Sequence, residues 1–217
     1  MLDLHNNSFI GPIPISISHL VNLSYLDLSN NDLEGTVPSC LWSLTVMKLS
    51  HNSFSSFRKP SKVLDQAEMR VLGLDSNSFH GPFPHWICKL SSLQLLDLSN
   101  NSFSGSIPSC LRNVTNFLQV LIMGKNNFSG TLPDVFVNAV YLNTLEVSRN
   151  RLEGKLPKSL INCSAMEFLN VESNNFKDKF PYWLGFIVKC PHPPIKPITW
   201  AIISPPCLDW VSKFKSH

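Results

Sequence analysis

Apolar residues spaced two apart recur along most of this chain, and residues 93–114 show the pattern most clearly. Leu96 and Leu98 are two positions apart, so an extended strand places both side chains on one face and Asp97 on the other. A single strand of this kind buries little apolar surface. The pattern therefore predicts that copies of the segment pack side by side as parallel strands, about 4.8 Å apart, around a shared core.

Eight copies of this strand pattern follow one another at intervals of 21 to 25 residues. We number them by the first apolar residue of each strand, called the register residue: Leu2, Leu26, Met47, Leu72, Leu96, Leu121, Leu145 and Leu169. Repetition at this period is typical of solenoids, in which each copy contacts only its neighbours. The sequence predicts one solenoid domain over residues 1–185 and an atypical, proline-rich, poorly ordered tail over residues 186–217.

An asparagine stands five residues after every register residue. Its amide both donates and accepts hydrogen bonds, so it can satisfy backbone groups that are exposed where the strand turns away. We interpret the column as a structural asparagine ladder made of Asn7, Asn31, Asn52, Asn77, Asn101, Asn126, Asn150 and Asn174.

Six copies end in glycine, any residue, an apolar residue and proline, as in Gly105 to Pro108. Glycine permits a turn that other residues resist and proline fixes the next backbone angle, so the motif bends and closes the back of each copy. Copy three lacks it, which predicts a looser basic loop around Arg58, Lys59 and Lys62. Copy eight has Asp178 in place of the glycine.

The 24-residue unit with this ending resembles the plant extracellular class of leucine-rich repeats. Segments such as NNFSGTLPD and SRNRLEGKLPKSLINC resemble the ectodomains of plant receptor-like proteins. The resemblance implies an α/β-type repeat solenoid, a horseshoe or superhelix with a concave parallel β-sheet and a mostly irregular or 3-10 convex side. It also implies a module that recognises a peptide, protein or glycan elicitor in defence or developmental signalling, with receptor kinases as signalling partners, on the extracellular side of the plasma membrane.

A secreted enzyme inhibitor resembling the polygalacturonase-inhibiting proteins is the alternative function, because those proteins share this repeat class. The chain as written shows no signal peptide, no kinase and no run of about 20 apolar residues that would span a membrane, so we expect a truncated product. Its histidines are spread along the chain and form no nucleophile, base and orienting group. We therefore expect neither an enzyme nor a cofactor.

Ligand contacts are expected on the concave face, where strand residues point away from the leucines. Aromatic and arginine side chains carry much of the energy at protein interfaces, and charged residues add specificity. The candidate contact residues are Tyr25, His51, Arg70, Lys125, Glu146, Arg149 and Phe168.

Six Asn-x-Ser/Thr sequons predict glycosylation on the surface of the repeats. The candidate acceptors are Asn6, Asn22, Asn100, Asn113, Asn127 and Asn162. Asn6 and Asn100 follow strands of the predicted binding face, so a glycan there would obstruct a ligand.

Charge and cysteines narrow the chemistry further. Eighteen Lys and Arg against fifteen Asp and Glu give a net charge of +3 without a basic stripe, which argues against a nucleic-acid partner. We expect the six cysteines to be buried free thiols, although a bond between Cys88 and Cys110 in adjacent copies is conceivable. Cys190, His192 and Cys207 do not supply a four-ligand set, so no metal is expected.

Overall fold

The computed structural model describes residues 1–58 and 68–183. The predictions for Lys59, Lys62 and the tail, including Cys190, His192 and Cys207, fall outside these ranges. The strands are β1 (Leu2–Asp3), β2 (Ile10–Gly11), β3 (Tyr25–Asp27), β4 (Asp32–Val37), β5 (Val46–Lys48), β6 (Ser53–Phe57), β7 (Val71–Gly73), β8 (His80–Pro82), β9 (Leu95–Asp97), β10 (Ser102–Ser106), β11 (Val120–Ile122), β12 (Asn127–Thr131), β13 (Thr144–Glu146), β14 (Arg151–Gly154), β15 (Phe168–Asn170) and β16 (Asn175–Phe176). The 3-10 helices are η1 (Ile15–His19), η2 (Ser39–Ser43), η3 (His85–Lys89), η4 (Ser109–Asn113) and η5 (Lys158–Asn162).

The eight odd-numbered strands form one parallel sheet in chain order, called here the front sheet. Register residues pair directly, as Leu72 with Leu96 and Leu96 with Leu121, although the copies differ in length. The extra or missing residues lie in the back, where the even-numbered strands form a three-stranded and a five-stranded sheet beside the 3-10 helices. The predicted repeat solenoid is confirmed, with short back strands in addition to the predicted 3-10 turns.

A row of phenylalanines fills the interior behind the front sheet. The rings of Phe79, Phe103 and Phe128 stack at centroid distances of 5.9 and 6.1 Å, with interplanar angles of 9° and 7°. Each is buried because a copy lies on both sides of it. Phe9 holds the same position in copy one but is 46% exposed, because it lies at the end of the described stack.

The asparagine column joins each copy to the one before it. Asn126 donates from Nδ2 to the carbonyls of Leu98 (2.9 Å) and Met123 (3.1 Å), and its Oδ1 accepts from the backbone N–H of Phe103 (3.0 Å). The other six interior asparagines, from Asn31 to Asn174, bond in the same way. Among the described residues, the side-chain amide of Asn7 in copy one bonds only to carbonyls of its own copy, those of Leu4 and His5.

The back of copy three is irregular, and the predicted looser loop around Arg58, Lys59 and Lys62 stays a prediction, because residues 59–67 lie outside the described ranges. β6 pairs with β4 through a register shift between Gly35 and Thr36. Arg58 follows β6, and its backbone is held at both polar groups: its N–H donates to Val37 O (3.0 Å) and its carbonyl accepts from Trp42 Nε1 (3.3 Å).

A disulfide joins Cys88 of η3 to Cys110 of η4, with the two Cα atoms 5.6 Å apart. The expectation of free thiols was wrong for this pair, because stacking of the two 3-10 helices brings the side chains of adjacent copies together. Cys40 and Cys163 are free thiols. Burial raises the pKa of the Cys163 thiol to about 12.

Candidate ligand-binding face

Two columns of side chains project from the front sheet, away from the core. The residues before the register residues are half-buried and mostly apolar: Tyr25, Val46, Val71, Leu95, Val120, Thr144 and Phe168. The residues after the register residues are mostly polar or charged: Asp27, Lys48, Gly73, Asp97, Ile122, Glu146 and Asn170. The face therefore combines an apolar stripe with a parallel charged stripe.

The residue before each ladder asparagine, called here the corner residue, has left-handed backbone geometry. Its φ lies between 51° and 55° in all eight copies, at Asn6, Asn30, His51, Ser76, Asn100, Lys125, Arg149 and Ser173. This conformation costs a side-chain-bearing residue about 1 kcal/mol or more, so it needs support. That support comes from the next copy, as where Lys125 N–H donates to Ser148 O (2.9 Å) and Arg149 N–H to Glu172 O (2.8 Å).

Acidic residues of the charged stripe also brace the chain ahead of them. Asp97 Oδ1 accepts from the backbone N–H of Ser99 (2.9 Å) and from its hydroxyl (2.7 Å). Glu146 Oε1 accepts from the N–H of Ser148 (3.0 Å). These carboxylates are thus held in place on the face rather than free to swing into solvent.

Lys125, Glu146 and Arg149 meet in one groove across copies four to eight. The groove has a volume of about 370 Å³, and its other lining residues are Ser76, Ser99, Asn100, Gly124, Ser148, Asn170 and Glu172. A Cβ at Gly124 would meet the Glu146 carboxylate, the flexible end of a side chain that would then have to shift. The missing side chain lets Glu146 of the next copy lie across this point.

Charges in the groove lack partners of opposite sign. None of the ion pairs among residues 1–58 and 68–183 involves Lys125, Glu146 or Arg149. Burial raises the pKa of Asp97, and the neighbouring carboxylates of Asp75 and Glu146 add to this although hydrogen bonds from Ser99 oppose it. Excess negative charge thus lies on the sheet, with two free cations at the corner positions beside it.

In copies two to four, charged side chains lie beside polar or charged partners. Lys48 Nζ lies 3.2 Å from Asp27 Oδ2 and 3.4 Å from the Tyr25 hydroxyl, and it sits 5.6 Å from the centre of the Tyr25 ring. His51 Nδ1 lies 3.5 Å from Asp75 Oδ2. Burial favours the neutral form of Asp27, but hydrogen bonds from Ser29 and Lys48 outweigh it, so the pKa of Asp27 is lowered.

The seven candidate contact residues therefore separate into three groups. Lys125, Glu146 and Arg149 share the groove, while Tyr25 and His51 contact charges of their own half of the face. Arg70 is exposed just before β7, and Phe168 is half-buried at the start of β15. A binding role for any of the seven stays a prediction. The sequence prediction did not include Gly124, whose importance depends on a side chain from the next copy.

The predicted glycan acceptors lie at three kinds of position. Asn6 and Asn100 are exposed corner residues, and Asn100 also lines the groove. Asn22, Asn113 and Asn162 are exposed on segments that lead from the back to the front sheet. Asn127 is half-buried in β12, where it accepts a hydrogen bond from Arg151 (3.4 Å). Glycosylation at each stays a prediction.

Within residues 1–58 and 68–183, two groups of side chains are close enough to share a metal ion. They are His85, Cys88 and Cys110 on the back, and Asp3, His5 and Asp27 at the first copies of the front sheet. Within the second group, His5 Nδ1 lies 2.6 Å from Asp3 Oδ1.

In the part of the chain that the structure describes, no helix has the length and apolar character needed to cross a membrane.

Comparison with protein families identifies the class of the repeats. The family described as Leucine Rich Repeat matches residues 1–20, 22–44, 92–114, 117–139 and 141–163. Receptor-like protein 30 from Arabidopsis thaliana is 63% identical over a region that covers 67% of this chain. Receptor-like protein 31 from the same organism is 57% identical over 50% of this chain. The chain spans only 22% and 13% of these two relatives.

Solved structures share the architecture. The LRR ectodomain of the plant membrane receptor kinase GASSHO1/SCHENGEN3 from Arabidopsis thaliana, in complex with CASPARIAN STRIP INTEGRITY FACTOR 2, matches 85% of this chain with a TM-score of 0.79 and 30% identity. The Arabidopsis receptor kinase HAESA, in complex with the peptide hormone IDA and the co-receptor SERK1, matches 85% with a TM-score of 0.74 and 29% identity. The matched regions are 22% and 35% of those chains.

Proposed function

We propose that this chain, which belongs to the leucine-rich repeat family and resembles plant receptor-like proteins, is a ligand-recognition module that binds a peptide across the front sheet of copies four to eight. The observation that carries this proposal is the groove with unpaired charges of both signs. Among the described residues, Lys125 and Arg149 have no ion-pairing anion and Glu146 has no ion-pairing cation. Charges left unpaired in this way favour a partner that supplies the missing ones.

An extended peptide suits the shape of the face. Equivalent side chains of adjacent copies are about 4.8 Å apart, so a chain crossing the strands would meet a new apolar residue at each copy. Val71, Leu95 and Val120 would receive its apolar side chains, and the groove beside them its charged ones. The HAESA complex supports a peptide as the class of ligand, because that receptor of similar fold is bound to a peptide hormone.

When a ligand binds, the proposed module would signal through partner receptor kinases, in defence or development at the cell surface. Support for this step comes from the receptor-like proteins among the relatives and from the co-receptor in the HAESA complex. Only part of a longer receptor would be represented, since the chain spans 22% or less of those relatives.

Peptide display tests the proposal without knowledge of the natural ligand. A random peptide library is selected on the purified chain, and the dissociation constants of enriched synthetic peptides are measured by calorimetry. We expect Lys125→Glu with Arg149→Glu to weaken binding at least tenfold. The matched control is Lys155→Glu with Lys158→Glu, which makes the same change in charge on the back and should alter binding less than twofold. Equal losses in both variants would contradict a site in the groove.

A further inference from the structure

Three side chains that can ligate a metal meet on the back of copies four and five. The proposed binding face is on the front sheet instead. His85 and Cys88 belong to η3, and Cys110 belongs to η4 of the next copy. His85 Nδ1 lies 3.6 Å from Cys110 Sγ, and all three ligand atoms lie within 4.8 Å of one another. The two sulfurs form the disulfide described above.

We propose that reduction of the Cys88–Cys110 disulfide creates a zinc site whose protein ligands are His85, Cys88 and Cys110. A dithiol reductant supplies two electrons and two protons, and it leaves as a disulfide while the two cysteines become thiols. Zn²⁺ then displaces the two thiol protons, so that two thiolates and a neutral imidazole hold the ion. Water completes the tetrahedral set on the exposed side of His85.

The distances between the ligands suit this ion. Tetrahedral zinc with sulfur at about 2.3 Å and nitrogen at about 2.0 Å separates S from N by about 3.5 Å and the two sulfurs by about 3.8 Å. The distance of 3.6 Å between His85 and Cys110 already matches the first value. The sulfurs must move apart once their bond is broken, and the Cα separation of 5.6 Å leaves room for this. Cys88 Sγ starts within 4.8 Å of the His85 imidazole, so small side-chain rotations complete the set.

The other free thiols among the described residues do not offer a comparable site. Neither Cys40 nor Cys163 belongs to a group of ligating side chains among residues 1–58 and 68–183. Cys163 is also buried, and its pKa of about 12 keeps it protonated near neutral pH. Copies four and five would thus be cross-linked by the disulfide in the oxidised protein and by zinc in the reduced protein.

Zinc titration of the full-length chain tests the site. The protein is reduced, freed of reductant without oxygen, and titrated with Zn²⁺ against a chromophoric chelator. We expect reduced wild type to bind one more equivalent of zinc than oxidised wild type, and also one more than reduced Cys88→Ser with Cys110→Ser. The comparison of the two reduced samples is decisive, because the remaining cysteines are thiols in both and their contribution cancels. No difference in stoichiometry would overturn the proposal.

A second measurement isolates the histidine. With Co²⁺ in place of zinc, we expect tetrahedral visible bands and thiolate charge-transfer absorption in reduced wild type. His85→Ala should weaken metal binding at least tenfold and alter the visible bands. His80→Ala removes another exposed back histidine as the matched control, and it should change the affinity less than twofold. Identical spectra for wild type and His85→Ala would overturn the role of His85.

Discussion

Asp27 and Asp97 occupy the same position in copies two and five, yet their electrostatic environments are opposite. Both accept hydrogen bonds from the N–H and hydroxyl of a serine two residues later, Ser29 or Ser99. The pKa of Asp27 is nevertheless lowered, whereas burial and nearby carboxylates raise the pKa of Asp97. The two positions also differ in the next strand along the sheet, where Lys48 pairs with Asp27 and Ile122 with Asp97.

Burial is the largest cause of the raised pKa of Asp97, and the residue on the adjacent copy determines whether a cation opposes it. In copies two and three, Lys48 and Asp27 neutralise each other and gain stability. Around copies five to seven, the negative charge of Asp97 and Glu146 is not neutralised within the stack. A site that retains unpaired charge gives up some stability, which binding of a partner can offset. The following substitutions test this contrast.

Removal of the lysine should have the largest effect. Lys48→Met keeps most of the alkyl chain but leaves the Asp27 carboxylate, whose side chain is 7% exposed, without its cation. We expect a loss of about 1.5 kcal/mol in the free energy of unfolding, less than for a fully buried pair because the Lys48 side chain is 42% exposed. Urea unfolding at pH 7 measures this. Lys125→Met is the control and should cost less than about 0.5 kcal/mol; equal losses would remove the contrast.

Asp27→Asn should cost about 1 kcal/mol at pH 7, because an amide accepts the Ser29 hydrogen bonds but does not attract Lys48. A lowered pKa means that ionised Asp27 contributes stability above the ordinary value of 3.8 and that this is lost as the pH falls through the folded-state pKa. The gap between wild type and variant should therefore close in acid. Thermal melts from pH 7 to pH 3 check this, and a gap that is constant with pH would contradict the ion-pair origin.

The sequence predicts the columns of the front face well. Each copy has the same pattern of apolar and polar positions along its strand, so equivalent residues of neighbouring copies pair. Tyr25, Val46 and Val71 therefore align even though their copies differ in length. The asparagine positions identify the turns for the same reason. Contacts between neighbours of equal register follow directly from the repeat.

Contacts that depend on the direction of a side chain were not predictable in this way. The pairing of Cys88 with Cys110 depends on how η3 stacks on η4, and sequence separation alone does not fix that geometry. The groove likewise depends on the Glu146 carboxylate lying over Gly124 of the previous copy. In the sequence, Gly124 is simply a small residue after a strand. Three of the candidate contact residues share the groove because they fall on adjacent columns of copies six and seven.

Asp97→Asn should have the opposite effect to Asp27→Asn and should raise stability by about 0.5 kcal/mol at pH 7. Because the pKa of Asp97 is raised, its contribution to stability is fully present below 3.8 and is lost as the pH rises through the folded-state pKa. Asparagine does not ionise, so the variant does not lose this stability. The hydrogen bond survives, since Asn170 makes the same bond to the N–H of Glu172 in copy eight (3.0 Å). Thermal melts should show the variant and wild type converging in acid. A variant less stable than wild type at pH 7 would show that Asp97 is not a cost to the fold.

The smallest change in stability, within about 0.5 kcal/mol, is expected for Ile122→Lys, which transfers the arrangement of copy three to copy six. Ile122 pairs with Asp97 on one side and Glu146 on the other, so a lysine there would lie between two carboxylates. Partial loss of the apolar contacts of Ile122 should offset most of the gain in charge pairing. The pKa of Asp97 should nevertheless move downward, which an NMR titration of its carboxyl carbon measures. Ile122→Met is the neutral control. If Asp97 keeps its raised pKa beside the new lysine, burial alone sets it, and the absence of a cation does not explain the difference from Asp27.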